Sequence, residues 1–290
     1  MTAQIIDGRA VAAQVRSEVA DRVAALAEIG KSVGLATVMV GDDPASAVYV
    51  GSKHRAAEAA GMKSFDVHLP ATATQAEVED AIRALNADPA VDGMILQLPL
   101  PEGLDGDAAV EGIDPAKDAD GLHPFSLGRL VLSRHAPVAA TPQGIMRLLD
   151  HYDIAVSGKK AVIVGRSFLV GRPLAMLLGA KGVDATVVMT HSRTADLSAE
   201  IRAADILVVA IGRPRMIDGS MVKPGAAVVD VGINRTDDGL VGDVDFDSVV
   251  EVAGAITPVP GGVGPMTVAC LLANTVMLAE QTAGPETNGH

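Results

Sequence analysis

The chain has 290 residues, of which 49% are hydrophobic, 20% are charged and 2% are aromatic. This composition excludes a disordered chain, and the length leaves room for about two domains with aliphatic cores. A formal net charge of -13, without a basic patch, argues against a nucleic-acid binder or a membrane-surface binder.

The single cysteine, Cys270, excludes an internal disulfide and indicates a reducing compartment. It lies in an apolar run, so we expect a small core residue rather than a nucleophile. The segment Met1-Thr2-Ala3-Gln4 lacks the basic and apolar regions of a signal peptide, and no uninterrupted apolar stretch of about 18 residues is present. We therefore expect a cytoplasmic protein without a membrane span.

The first half of the chain alternates between helical and strand patterns. Apolar residues recur at three- and four-residue steps over 9–29, which predicts a helix that ends at Gly30. The elements predicted next are a strand at 35–40, a helix at 45–60, a strand at 65–69, a helix that begins with the capping box Thr74 and Glu77, and a strand at 94–97. This order is typical of a parallel sheet, and it is followed by an irregular segment at 112–134.

The second half repeats the alternation. It predicts helices at 141–150, 174–180 and 266–281, and strands at 161–164, 185–189, 206–210 and 226–231. The fold class is therefore α/β with two domains. We expect an N-terminal α/β domain over 1–140 plus 264–283, a Rossmann-like dinucleotide-binding domain over 141–263 and a flexible tail at 284–290, with the C-terminal helix returning to the first domain.

Ser46, Tyr49 and Lys53 share one face of the predicted second helix, because they are spaced at three and four residues. A buried lysine can act as an acid or a base, and a neighbouring tyrosine can stack on a planar ligand. A solvated helix face that happens to carry a lysine has the same pattern. Short-chain dehydrogenases also use Tyr-x-x-x-Lys, but there the pair follows the dinucleotide-binding glycines, whereas here it precedes them.

Gln97 and Asp120 are a second candidate pair. Gln97 ends a predicted parallel strand, and carboxyl ends of such strands face the ligand crevice of α/β folds. A carboxylate such as Asp120 can accept two parallel N–H bonds from a guanidine-like edge. An acidic surface loop would carry the same residues.

A glycine-bearing loop follows the strand at 161–164, and it contains Gly165, Arg166, Ser167, Gly171 and Pro173. A strand, such a loop and a helix form an anion cradle from free N–H groups, although an ordinary βα turn has the same order of elements. The next strand ends without the carboxylate that NAD enzymes place there. Ser192 and Arg193, with Arg166, could hold a 2'-phosphate instead, which favours NADP.

Four segments occur in the order of the methylenetetrahydrofolate dehydrogenase/cyclohydrolase family, and the chain resembles that family over roughly 5–280. They are Tyr49-Val50-Gly51-Ser52-Lys53, Gln97-Leu98-Pro99-Leu100-Pro101, Lys117-Asp118-Ala119-Asp120-Gly121 and the highly specific Pro258-Val259-Pro260-Gly261-Gly262-Val263-Gly264-Pro265-Met266-Thr267. The loop pattern Gly-x-Ser-x-x-x-Gly-x-Pro is also that of the family. Two positions depart from it: Ala140 stands where many members have Cys, and Gln143 where Arg or Lys is frequent.

The resemblance implies a role for each candidate residue. Lys53 would be the main catalytic residue of the cyclohydrolase step, oriented by Gln97. Tyr49 would pack on the folate ring, Asp120 would anchor the pterin edge, and Ser46 would lie beside them. The remaining implied contacts are Pro260, Gly261 and Gly262 with the substrate, Arg166 and Ser192 with the 2'-phosphate, and Ile233 with the nicotinamide; Arg193 is added from the residue pattern alone.

The reaction that the resemblance implies has two steps in one cleft. The enzyme would oxidise 5,10-methylenetetrahydrofolate to the methenyl form with NADP, and would then hydrolyse that form to 10-formyltetrahydrofolate. A homodimer formed through the dinucleotide domain is also implied, and no cluster of metal-binding residues predicts a metal. The alternatives are a dehydrogenase without cyclohydrolase activity, which the presence of Lys53 and Gln97 disfavours, a non-catalytic folate or dinucleotide sensor, and an amino-acid dehydrogenase with a different substrate site.

Overall fold

The computed structural model describes residues 2–237 and 239–284, with the side chains of 44–48 left out. The chain forms two compact units. The six-stranded unit contains the chain up to Ala13 and Ala139–Thr267, and the three-stranded unit contains Gln14–Val138 and the chain from Val268 onward. Most of the predicted tail, at 285–290, lies outside the described residues.

Helices and strands alternate along most of the chain. The strands are β1 (Gln4–Ile5), β2 (Gly34–Val40), β3 (Lys63–Leu69), β4 (Gly93–Leu96), β5 (Lys160–Val164), β6 (Thr186–Thr190), β7 (Ile206–Val209), β8 (Ala227–Asp230), β9 (Asn234–Thr236), β10 (Gly239–Val241) and β11 (Ala255–Ile256). The helices are α1 (Gly8–Glu28), α2 (Pro44–Ala59), α3 (Gln75–Ala87), α4 (Gly106–Glu111), α5 (Pro124–Val131), α6 (Ala140–His151), α7 (Gly171–Leu178), α8 (Leu197–Arg202), α9 (Phe246–Val249) and α10 (Val263–Thr282), with a 3-10 turn at Pro115–Lys117.

The three-stranded unit has a parallel sheet in the order β3-β2-β4. Every residue of the central strand β2 is buried, as its almost continuous apolar sequence requires of a strand that is covered on both faces. The carboxyl ends of β2 and β4 lie next to each other, because Val38 pairs with Leu96. This edge of the sheet is where side chains that follow the strands can converge.

The capping box that the sequence predicts for α3 is present. The Glu77 N–H donates to the Thr74 hydroxyl at 3.3 Å, and the Thr74 N–H donates to the Glu77 carboxylate at 2.7 Å. We expect Thr74→Ala to lower the free energy of unfolding by about 1 kcal/mol, because a helix N-terminal N–H loses its acceptor. Urea unfolding measures this loss, with Thr74→Ser as the control that keeps the hydroxyl; equal losses in both variants would contradict the capping role.

The six-stranded unit has a sheet in the order β1-β11-β8-β7-β5-β6, with all its pairings parallel. The strand order places β5 beside both β6 and β7. Chain segments that leave these three strands therefore start at the same edge of the sheet, where doubly wound folds bind dinucleotides. A separate antiparallel hairpin pairs β9 with β10.

The start of the chain differs from the predicted domain division. The sequence placed residues from 1 onward in the first domain, whereas β1 adds to the edge of the six-stranded sheet. The N–H groups of Gln4 and Ile6 donate to the carbonyls of Gly254 and Ile256 at 2.9 and 2.8 Å. Two-residue strands have too few positions to show a period, so the sequence pattern does not reveal this pairing.

The predicted irregular segment 112–134 contains α5, so that prediction is wrong for its second half. His123 caps the helix by accepting the Phe125 N–H at 3.0 Å on its ring nitrogen, and Pro124 occupies the first turn. Proline at that position favours a helix start and was the available signal. Further elements that the sequence did not predict are α4, α8, α9, β1, β9, β10 and β11.

Helix α10 is long and apolar enough to cross a membrane by length and composition alone. However, 67% of its apolar window is buried inside the protein, as is usual for a core helix. Asn274 donates to the carbonyls of Ala119 and Val138 at 2.8 and 2.9 Å, so the helix returns to the three-stranded unit as predicted. Cys270 is fully buried in it, as expected of a core residue.

Candidate active site and cofactor loops

Lys53 lies at the centre of the candidate site in the three-stranded unit. It is one turn after Tyr49 on α2, so the two side chains share a face, and the Lys53 ammonium lies 4.5 Å from the centre of the Tyr49 ring. The Lys53 Nζ donates to the Gln97 side-chain oxygen at 3.2 Å. Lys53 is only 5% exposed, so the predicted helix face is not a solvated one. The side chain of Ser46 lies outside the described part of the structure.

Backbone pairing fixes Gln97 at this position. Its N–H donates to the Val38 carbonyl at 2.8 Å, which continues the β2–β4 pairing by one residue. Its side-chain amide donates to the Leu98 carbonyl at 2.9 Å, which leaves the amide oxygen directed at Lys53. The next peptide bond, Leu98-Pro99, is cis.

Asp120 follows a segment that is held beside β4. The Ala119 N–H donates to the Met94 carbonyl at 3.2 Å, and Asp118 is buried and accepts the N–H groups of Leu122 and His123 at 3.2 and 3.0 Å. The two acidic residues of the motif therefore differ in role. Asp118 closes the turn through backbone hydrogen bonds, whereas Asp120 is the carboxylate that interacts electrostatically with Lys53.

Burial controls the ionisation of both groups. It lowers the pKa of Lys53 below the ordinary value, and the negative charge of Asp120 partly opposes that shift. Burial also raises the pKa of Asp120, against the attraction of Lys53. A lysine with a lowered pKa releases its proton more readily than an exposed lysine does, so the arrangement is suited to acid–base chemistry.

The six-stranded unit contains the predicted glycine loop between β5 and α7. Gly165 has a φ of +126°, and a side chain there would overlap the Ala210 carbonyl. A side chain at Gly171 would overlap the Gly165 carbonyl, so both glycines allow close backbone approach. The Ser167 hydroxyl accepts the Val170 N–H at 3.2 Å, while Val170 gives α7 no side-chain cap. The buried Pro173 is in the first turn of α7, whose N-terminal N–H groups fit an anionic ligand.

Three exposed side chains lie at the carboxyl ends of β5 and β6, namely Arg166, Ser192 and Arg193. Within the part of the chain that the structure describes, these three side chains form no hydrogen bond or ion pair with the protein, in contrast to the buried lysine site. His191 closes this loop locally, since its ring nitrogen accepts the Arg193 N–H at 3.1 Å. Two guanidinium groups and a hydroxyl without protein partners fit a phosphate ester.

The other residues predicted to contact the cofactor or the substrate, Ile233 and residues 260–262, also lie in the six-stranded unit. Ile233, between β8 and β9, is 59% exposed, so its side chain is accessible to a ligand. Pro260 follows a cis peptide bond, Gly261 has a φ of +115°, and the Gly262 N–H donates to the Pro258 carbonyl at 2.8 Å. These residues form a tight turn before α10.

Sequence reasoning missed a pair of buried carboxylates, Asp230 and Asp243, behind the loops that follow β7 and β8. Asp230 is 4% exposed and Asp243 is fully buried. The Asp243 N–H donates to Asp230 at 3.0 Å. The only signal in the sequence was that Asp230 ends the apolar strand Ala227–Asp230. No local sequence pattern indicates that Asp243 is buried.

Burial raises the pKa of Asp230 to about 6 from its ordinary 3.8, against hydrogen bonds from Val244, Asp243 and Gly232. Between these two values the folded carboxyl keeps a proton that the unfolded chain releases. The contribution of Asp230 to stability is therefore fully present below about pH 4 and is lost as the pH rises through 6, on the order of 3 kcal/mol. Urea unfolding from pH 4 to 7 measures this loss, as the free energy of unfolding of the wild type minus that of Asp230→Asn. This difference should fall as the pH rises, and a rise with pH would contradict the predicted sign.

A two-domain α/β protein with a dinucleotide loop in one unit and a buried lysine site in the other has the features of a nicotinamide-dependent dehydrogenase with a second, acid–base activity. Two family models match the chain. They are the catalytic domain of tetrahydrofolate dehydrogenase/cyclohydrolase, at residues 6–120, and the NAD(P)-binding domain of the same family, at residues 139–283. The chain belongs to the tetrahydrofolate dehydrogenase/cyclohydrolase family.

Relatives agree over almost the whole length. The bifunctional protein FolD of Sphingopyxis alaskensis is 57% identical over 97% of this chain and 95% of its own length. The crystal structure of the Campylobacter jejuni bifunctional enzyme FolD has a TM-score of 0.93 at 45% identity, covering 96% of this chain and 99% of that one. The Trypanosoma brucei enzyme, solved with NADP and an inhibitor, has a TM-score of 0.93 at 40% identity, covering 98% and 100%.

These findings confirm several predictions from the sequence: the family, the two-domain α/β fold, a bifunctional dehydrogenase and cyclohydrolase, and a nicotinamide cofactor, which is NADP in the Trypanosoma brucei relative. The roles of individual residues stay predictions. The structure brings Lys53, Tyr49 and Gln97 into direct contact and puts the cofactor candidates at one edge of the six-stranded sheet.

Proposed function

We propose that the Lys53 site acts on 5,10-methylenetetrahydrofolate and its methenyl form, and that the β5–α7 loop binds NADP. The observation that carries the proposal is the buried Lys53, whose Nζ is 3.2 Å from the Gln97 oxygen and 4.5 Å from the Tyr49 ring. Burying an ammonium costs several kcal/mol unless it is compensated, and the charge of Asp120 offsets that cost only in part, since the pKa of Lys53 is still lowered. A catalytic lysine accounts for that cost.

In the first reaction the protein orients its substrate. Tyr49 offers a flat ring face on which a pterin can stack, and the Asp120 carboxylate can accept hydrogen bonds from the guanidine-like edge of the pterin. Bound NADP supplies the hydride acceptor for the methylene carbon. Alignment of two bound molecules can provide a large share of the rate, so this step requires no proton transfer from Lys53.

In the second reaction water adds to the cationic methenyl carbon and the five-membered ring opens. The added water must lose both of its protons, because its oxygen becomes the formyl oxygen; one proton goes to the departing ring nitrogen and the other is released. Lys53 can carry out these transfers, because burial has already lowered its pKa and a cationic substrate beside it would lower it further. Gln97 holds the ammonium in place by accepting a hydrogen bond from one of its N–H groups, which leaves the other N–H groups for the substrate.

NADP is proposed in preference to NAD because of the side chains at the end of β6. No Asp or Glu occurs among residues 189–194, and Arg166, Ser192 and Arg193 are exposed. A 2'-phosphate would meet two guanidinium groups and a hydroxyl there. NAD would leave both positive charges without a partner.

A homodimer formed through the six-stranded unit follows from the family resemblance, as does a supply of 10-formyltetrahydrofolate to purine biosynthesis. Neither a nucleic-acid nor a membrane partner is proposed, in view of a net charge of -13. A cytoplasmic location agrees with a single, buried cysteine.

Two absorbance assays test the proposed function. One follows formation of the reduced nicotinamide from 5,10-methylenetetrahydrofolate with NADP or NAD, and the other follows loss of methenyl absorbance when that form is supplied. Both signals together, stronger with NADP, support the proposal. Cofactor reduction without methenyl loss would leave a dehydrogenase alone, and a folded protein that shows neither signal would point to a sensor.

A further inference from the structure

The loop after β7 is held by one buried side chain. The Asp243 carboxylate accepts three consecutive N–H groups, from Ile211 at 2.7 Å, Gly212 at 2.9 Å and Arg213 at 2.8 Å. It also accepts the Asn234 side-chain amide at 2.9 Å. One carboxylate therefore connects the loop after β7 with the start of β9, which follows β8.

A second carboxylate holds the first one in place. Asp230 accepts the N–H groups of Gly232 at 2.9 Å, Asp243 at 3.0 Å and Val244 at 2.9 Å. A side chain at Gly232 would overlap the Asp243 carboxylate, and one at Gly242 would overlap that of Asp230. The pair is thus closely enclosed, and it leaves the backbone of both loops little freedom to shift.

The pair has features that a simple loop anchor does not need. Both groups are buried, and among residues 2–237 and 239–284 neither forms a salt bridge with Lys or Arg. Two adjacent buried carboxylates repel each other and carry a desolvation cost that only backbone and amide donors offset. Such an arrangement fits a place where exact backbone geometry is required, and both loops start at the ligand-binding edge of the sheet.

We propose that Asp243 is a positioning residue for the cofactor: it fixes the loops 211–213 and 232–234 in the conformation that receives the nicotinamide half of NADP. This inference rests on the proposed NADP site. Ile233, exposed between the two anchored residues Gly232 and Asn234, is the side chain that this scaffold presents. Asp243 acts through the backbone and does not itself touch the cofactor.

The test is Asp243→Asn, measured in both assays. The amide replaces one acceptor oxygen with a donor group that faces backbone N–H groups, so at least one loop loses its anchor. We expect the KM for NADP to rise by about 10-fold, equivalent to about 1.4 kcal/mol of binding free energy, because the loops no longer hold the conformation that receives the cofactor. Hydrolysis of supplied methenyltetrahydrofolate should stay within twofold, because Lys53 belongs to the other unit and this step needs no NADP.

Asp205→Asn is the matched control. Asp205 lies in the same unit at the amino end of β7, where it accepts the Lys160 N–H at 2.9 Å and the Lys223 ammonium at 2.6 Å. Its loss should lower the melting temperature without raising the KM for NADP. If Asp243→Asn shows a similar fall in melting temperature but an unchanged KM for NADP, Asp243 has only a structural role and the proposal is overturned.

A second variant tests the geometry directly. Combining Asn234→Asp with Asp243→Asn restores the hydrogen bond between the two side chains in the reverse direction, and the amide oxygen can still face Ile211 and Gly212. We expect the double variant to recover at least part of the KM for NADP relative to Asp243→Asn. An additive loss in the double variant would overturn the proposal, whereas inactivity of the wild type with NADP would instead remove the proposed cofactor site.

Discussion

Replacing Lys53 with Met is expected to abolish most of the cyclohydrolase activity while the dehydrogenase activity survives. The two side chains have similar length, so the substitution removes the proton-transfer group and leaves the packing against Tyr49 largely filled. General acid–base catalysis by one residue is worth about 100- to 10,000-fold, which sets the expected fall in the rate of methenyl hydrolysis. Hydride transfer requires alignment rather than a proton, so its rate should fall by much less.

The control for this prediction is the same substitution at Lys63, which is exposed at the start of β3 in the same unit. Lys63→Met should leave both activities unchanged. Asp120→Asn makes a useful contrast, because an anchor of the pterin edge serves both reactions and both should decline together. Full methenyl hydrolysis in Lys53→Met would overturn the catalytic role of Lys53, and equal loss of both activities would indicate a binding role only.

The contacts at Lys53 show what the sequence alone can predict. Tyr49 and Lys53 are neighbours because a helix places residues four apart on one face, and Gln97 reaches them because parallel strands end at a common edge. The pairing of Tyr49 with Lys53 was therefore predictable from the helix repeat, whereas the contact of Gln97 with Lys53 was expected only from the resemblance to the family. The capping box at Thr74 was predictable because its two residues are close in sequence.

Other features depend on contacts between distant residues that no local pattern marks. The pairing of β1 with β11 joins Gln4 to Ala255, and each strand is too short to show alternation. The roles of Asp230 and Asp243 become visible only in the folded chain, where their carboxylate oxygens meet the backbone N–H donors of two loops. In such clusters the partners are mostly main-chain N–H groups, which every residue except proline provides, so residue identity holds little information about them.

Discrimination between NADP and NAD is the other property with a large expected effect. Removing both guanidinium groups, by Arg166→Gln together with Arg193→Gln, should lower kcat/KM for NADP by about 100-fold or more, since each hydrogen bond to a charged group is worth about 1.5–3 kcal/mol. kcat/KM for NAD should change little, because NAD has no 2'-phosphate. Arg202→Gln, at an exposed position of α8 in the same unit, is the control and should alter neither value.

The single variants separate the two arginines, whose assignments have different origins. Arg166 follows from the family pattern, whereas Arg193 follows only from its place after β6. If both hold the phosphate, each single variant should reduce the preference for NADP by roughly 10-fold or more. An unchanged preference in Arg193→Gln would remove Arg193 from the site. Equal losses with NADP and NAD would place the guanidinium groups on a part of the cofactor that both molecules share, and the absence of Asp and Glu from residues 189–194 would then be the argument for NADP that remains at this loop.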